Sequence, residues 1–259
     1  MRKLAVALLL SLSLMGCQRT DLGKLTAYAK GNDAAGVKSE LAKGFDPATL
    51  NSKDGKAATT PLHIAAENGN VDIIKLLLAA GINVNLRRDD GSTPLFLATL
   101  KTKTDAARLL LQNGASPNLG TYSGYFPLIV AVAQQNRVLS RDLVEHGANV
   151  SAESGPLTPI GSAAFEGDLE TAGLLLSHGA DINQSTAGGG VKPVDLAVKK
   201  DDKKMLLFLL ASGGQPSSWG DAVQFALNAH DPVMAGLLRA AERNQAVAHQ
   251  KAAVSPQAK

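Results

Sequence analysis

Five histidines, one cysteine and 23 acidic residues are what the 259-residue sequence offers for chemistry. A zinc protease would carry HExxH, a hydrolase GxSxG, and a nucleotide site a P-loop or a Rossmann glycine fingerprint. The sequence contains none of them. Gly188-Gly189-Gly190-Val191-Lys192 is glycine-rich but lacks the P-loop spacing and its hydroxyl, and reads as a flexible loop. His146 and His178 each precede a glycine, where a helix end would favour them when charged. Lys199-Lys200-Asp201-Asp202-Lys203-Lys204 reads as a solvated turn between two helices, with Lys199 and Lys200 placed to touch a partner. One cysteine excludes an intramolecular disulfide and a CxxC zinc site. A net charge of +3 and 4% aromatic residues give no nucleic-acid footprint and no base-stacking platform. No catalytic residue, metal site or cofactor is expected.

The cysteine has a defined setting. Arg2 and Lys3 precede an apolar stretch from Leu4 to Leu14, which ends in Leu14-Met15-Gly16-Cys17. The stretch is shorter than the ~20 residues that span a bilayer and suits a secretory signal. Leu14, Gly16 and Cys17 resemble the lipobox of bacterial lipoproteins; Met15 is less usual at its position. The resemblance implies cleavage before Cys17, a covalent lipid on its sulfur and an acyl chain on its amine. Gln18, not Asp, follows the cysteine, which by the same resemblance implies the outer membrane and a periplasmic body. Two or three chains anchor stably where one binds marginally. Only Gln18–Asp21 separate Cys17 from the first expected helix, a reach of at most ~14 Å.

Elements that could position a binding surface emerge from internal repetition. Prolines at Pro61, Pro94, Pro127, Pro159 and Pro193 are each followed 20 residues later by Gly81, Gly114, Gly147, Gly179 and Gly213. From each glycine to the next proline the spacing is 13, 13, 12 and 14, so length varies only in the connection. Proline suits the first turn of a helix, Thr60, Thr93 and Thr158 can cap it, and the glycines suit a left-handed helix end. Alanines such as Ala65 and Ala66 permit close helix contact, and Leu76, Leu77 and Leu78 are expected to fill the interface between units.

Thr60-Pro61-Leu62-His63-Ile64-Ala65-Ala66 and its four counterparts resemble the ankyrin repeat. The resemblance implies an all-α solenoid of helix pairs with short β-hairpin fingers, and a structural hydrogen-bonding role for His63. Five internal units and two degenerate capping units are expected. The resulting domains are a signal peptide at 1–16, a lipidated tether at 17–21, a repeat domain at 22–243 and a disordered tail at 244–259. The third unit departs most, with Phe126 for Thr, Ile129 for His and Gln135 at the inter-helix glycine position.

In ankyrin proteins partners bind the concave face, built from finger tips and first helices. The residues expected there are Arg87, Arg88, Leu100, Lys101, Leu119, Tyr122, Tyr125, Phe165, Glu166 and Lys199. Aromatic and arginine side chains dominate interface hot spots. The expected function is non-enzymatic protein binding from a lipid anchor in the periplasm, by a chain monomeric apart from its partner. A concrete version, by analogy of architecture, is an immunity protein that neutralises a membrane-acting effector such as a phospholipase delivered by a type VI secretion system. A partner for a periplasmic stress-response enzyme such as catalase is the alternative, and an enzyme the third.

Overall fold

The computed structural model describes residues 20–50, 59–154, 157–185 and 191–254. The chain divides into two compact units, one ending at Ser116 and the other beginning at Pro117. In the first, three helix pairs follow one another: α1 (Leu22–Lys30) and α2 (Ala34–Leu41), α3 (Pro61–Asn68) and α4 (Val71–Ala79), α5 (Pro94–Leu100) and α6 (Thr104–Gln112). A 3-10 turn at Pro47–Thr49 lies between the first two pairs. The second unit holds four pairs: α7 (Pro127–Ala133) and α8 (Arg137–Glu145), α9 (Pro159–Glu166) and α10 (Leu169–Ser177), α11 (Pro193–Lys199) and α12 (Lys203–Ala211), α13 (Trp219–Asn228) and α14 (Pro232–Val254).

The five prolines each open a first helix, as the spacing predicts. Thr60, Thr93 and Thr158 cap them by accepting the N–H of His63, Phe96 and Gly161. Phe126 and Lys192 have no such cap; at Lys192 the Asp195 carboxylate accepts the Lys192 N–H instead (3.2 Å). The closing glycines all adopt the left-handed conformation, with φ between 82° and 89° from Gly81 to Gly213. A side chain there would be strained.

First helices pack on first helices and second on second: α1 on α3 on α5, and α2 on α4 on α6, in the first unit. In the second unit α7, α9, α11 and α13 follow one another in the same way, while α8 meets α10 and α12 meets α14. One leucine recurs at the centre of each proline-led repeat. Leu77, Leu110, Leu143, Leu175 and Leu209 are all fully buried, at the same 33-, 33-, 32- and 34-residue intervals as the prolines. Of the trio expected between units only Leu77 is fully buried; Leu76 and Leu78 are half-buried. Successive helical residues are turned by about 100°, so three in a row cannot face one interface.

The described parts of the fingers are tight turns with few cross-pairs: Arg88 N–H donates to the Ser92 carbonyl, Thr121 N–H to that of Tyr125, and an isolated antiparallel bridge joins Ser154 and Leu157. No strand forms among the described residues, because each finger has room for only one or two cross-pairs. The tail expected to be disordered from Asn244 is helical as far as Val254. Glu242 stands where the other units place a helix-ending glycine, and the following Ala- and Gln-rich run contains good helix formers. The expected signal segment, Cys17, residues 51–58 and the glycine run at 188–190 lie outside the described residues.

Candidate functional site

Each of the five proline-led first helices runs from a buried proline end towards a more exposed carboxyl end, so the following turn faces solvent. In the first unit this places Leu100 at the surface, 44% exposed, with Lys101 beside it. Lys101 Nζ lies 3.4 Å from Glu67 Oε1 of the preceding repeat. Arg87 is half-buried and donates from Nε to the Gly91 carbonyl (3.2 Å). Arg88 closes the same finger through its backbone, which accepts the Gly91 N–H. The two arginines therefore brace the finger.

In the second unit the turn Thr121–Tyr125 carries two exposed rings, Tyr122 and Tyr125, 53% and 54% accessible. Thr121 holds the turn by accepting the Tyr125 N–H at Oγ1 (3.1 Å). Gly120 lets Phe126 close in: a Cβ there would lie 2.5 Å from the Tyr125 carbonyl oxygen and 2.9 Å from the Phe126 ring. Phe126, and not Tyr125, supplies the finger packing. Leu119 is half-buried. Phe165 is 42% exposed at the end of α9, and Lys200 sets its ammonium 3.7 Å from the ring centroid. Glu166 accepts from Gln135 Nε2 (2.9 Å). Lys199 lines a hollow of about 320 Å³ with Val191, Val198, Asp221 and Phe225.

Of the expected contact positions Leu100, Lys101, Tyr122, Tyr125, Phe165 and Lys199 are exposed and Arg87, Arg88, Leu119 and Glu166 half-buried, and pairs form between neighbouring repeats: Glu67 with Lys101, Gln135 with Glu166, Phe165 with Lys200. A further network escaped sequence reasoning. Arg137 at the start of α8 donates from Nε to the buried Asp168 (2.8 Å), whose carboxylate also accepts from the Thr171 hydroxyl (2.7 Å). Arg141 meets Glu170 (2.7 Å), and Lys203 meets Asp231 (2.5 Å). That contact, with the Met234 N–H, holds the Asp231 carboxyl down at about 2. These partners are separated by roughly one repeat length, which is the only signal that could have found them.

Asparagines tie fingers together in the same way. Asn85 donates to the Gly114 carbonyl and accepts the Ser116 N–H; Asn118 does so with Gly147 and Asn149, and Asn183 with Gly213 and Gln215. Thr20 and Asp21, ahead of α1, are held too. Buried Glu40 accepts the Asp21 N–H (2.7 Å) and Lys43 Nζ (2.7 Å), and the Thr20 hydroxyl donates to its carbonyl (3.2 Å). The bond from Lys43, then that from Asp21, holds the Glu40 carboxyl below the usual range.

His63 is fully buried. Its Nε2 lies 3.1 Å from the Leu86 carbonyl and 3.3 Å from that of Ser92, so Nε2 must carry the proton. Nδ1 is left to accept from the Thr60 hydroxyl (2.8 Å) and N–H (3.3 Å). His146 and His178 point Nδ1 at the carbonyls of Asp142 and Leu174, four residues back. No group of three or more His, Cys, Asp or Glu among the described residues could hold a metal ion, and no helix among them is long and apolar enough to cross a membrane.

A family model of ankyrin repeats in three copies matches residues 25–121, and a single ankyrin repeat matches residues 157–187. No curated protein matches the chain. These two segments are therefore ankyrin repeats within an all-α fold of helix pairs, and such repeats are typically non-enzymatic protein-interaction modules. The divergent third unit falls between the two matches, yet it builds the same helix pair.

Proposed function

We propose that the protein is a lipid-anchored periplasmic binding module, and that it acts as an immunity or inhibitor protein against an effector working at the membrane. The observation that carries the binding part is the turn at Thr121–Tyr125. It leaves two tyrosine rings in solvent while Phe126 does the local packing. Large aromatic side chains held on a braced turn lose little conformational entropy on binding and are enriched at interface hot spots. Phe165, in the same unit, adds an apolar face with a cation stacked on it.

The anchor is Cys17 with its lipid. Thr20 and Asp21 are held against the first repeat by Glu40, so only Gln18 and Arg19 lie between the cysteine and a fixed point. Two residues reach about 7 Å. The first unit would then lie against the membrane, where a membrane-acting effector would meet it.

Deleting the gene tests the role. A deletion strain killed by its siblings in contact-dependent competition supports immunity. Peroxide sensitivity without sibling killing assigns the protein to stress protection instead. Cys17→Ser is expected to move the protein from the membrane to the soluble periplasmic fraction. If that variant stays in the membrane, the anchor is not the cysteine.

A further inference from the structure

At six of the seven described inter-helix turns the second helix starts on a capping Asp or Asn: Asp33, Asn70, Asn136, Asp168, Asp202 and Asp231. Each accepts the N–H of the third residue on, a contribution lost on replacement by a side chain that cannot cap. The seventh turn has Lys103, which makes no side-chain cap. The residue before it, Thr102, sits in the left-handed region at φ 53°. A β-branched side chain is strained there. Two neighbouring positions thus forgo stability in one turn, the pattern expected where a sequence serves binding instead.

The surroundings say what would be bound. The stem of Lys103 lies over Gly69, whose Cβ, if present, would come within 2.8 Å of it. Lys103 joins Lys30 and Lys101 around an open cleft of about 450 Å³ in the first unit, with Asn32, Asn68 and Glu67 completing the lining. Asn68 donates to the Ala29 carbonyl and to Asn32 Oδ1, which ties two of the three turns together. Glu67 is paired with Lys101, and no ion pair among the described residues involves Lys30 or Lys103. Three ammonium groups against one carboxylate leave the lining with a charge of +2.

We propose that this cleft receives a carboxylate-rich segment of the protein partner, with Lys30 and Lys103 as its principal cationic contacts. The proposal rests on the reading of the repeats as a protein-binding module. Charge complementarity of this kind steers encounter and sets specificity. A bilayer is a poorer fit than a peptide. The lysines come from three successive turns around a hollow, and Glu67 stands among them, so a narrow chain enters where a flat anionic surface would meet a carboxylate.

The test exploits the missing cap. Lys103→Asn restores the residue type of the other turns, so it should raise the thermal midpoint by about 2–4 °C. The same variant should bind a hexaglutamate peptide about fivefold or more weakly than the wild type, with a shallower salt dependence. Lys103→Arg should retain binding. Equal peptide affinity for wild type and Lys103→Asn overturns the proposal, as does a wild type that does not bind the peptide. Binding only to phosphatidylglycerol vesicles assigns the cleft to the membrane, and binding only of inorganic phosphate makes it a small-anion site; either overturns it. The peptide assay needs no natural partner. A natural partner that binds Lys103→Asn normally would sink the cleft and leave the module standing.

Discussion

His63 shows how one side chain joins two elements. It links the start of α3 to the next finger by giving its Nε2 proton to the Leu86 and Ser92 carbonyls. Burial, partly offset by those two carbonyls, lowers its pKa from 6.5 to about 4. The folded protein therefore holds His63 neutral in a range where the unfolded chain would protonate it. Its contribution is complete above pH 6.5 and declines as the pH falls towards about 4. Across that window the loss is about 3 kcal/mol. His63→Phe, the residue type found at Phe96, should lower stability at pH 7 yet flatten the denaturation midpoint between pH 6.5 and 4. A variant with the wild-type pH profile would show that His63 is not the titrating group. Asp195 does similar work in a later repeat by accepting the N–H and hydroxyl of Ser217. The other three equivalents, Phe96, Ile129 and Gly161, have no polar side chain to do it. The role of His63 and the left-handed glycines were legible because they belong to local motifs. The pairs Glu67–Lys101, Gln135–Glu166 and Phe165–Lys200 were not, because each joins residues 31 to 35 apart whose alignment depends on how neighbouring repeats stack.

At the scale of the element, the five proline-led helix starts were readable to the residue and the second-helix ends to within two, since proline, a capping hydroxyl and glycine mark them chemically. The fingers and the last helix were not. A finger's few cross-pairs depend on the repeat behind it, and the composition of 244–254 suits an exposed helix as well as a loose chain. What holds the pairs together is the leucine that recurs with the prolines. Leu143→Ala in α8 removes a fully buried side chain and should cost about 2–5 kcal/mol in urea denaturation. Val138→Ala on the exposed face of the same helix should stay within about 0.5 kcal/mol. Equal effects at the two positions would mean that the repeats do not share the core described here.

For the whole molecule, the formal charge of +3 belongs to its ends. Arg2 and Lys3 contribute +2 and the chain from Arg239 onward a further +3, so residues 17–238 are net −2. Against that mildly acidic body, the basic cleft at Lys30, Lys101 and Lys103 is a local exception. Partner identity depends on surface shape and is not written in any motif. The central claim is that the protein works by binding another protein through exposed side chains on its repeats. The most direct measurement is the affinity for a partner isolated from the periplasm, compared between wild type and Tyr122→Ala with Phe165→Ala. The account predicts a loss of about a hundredfold or more with an unchanged helical melt. Unchanged affinity in a correctly folded double variant would contradict it.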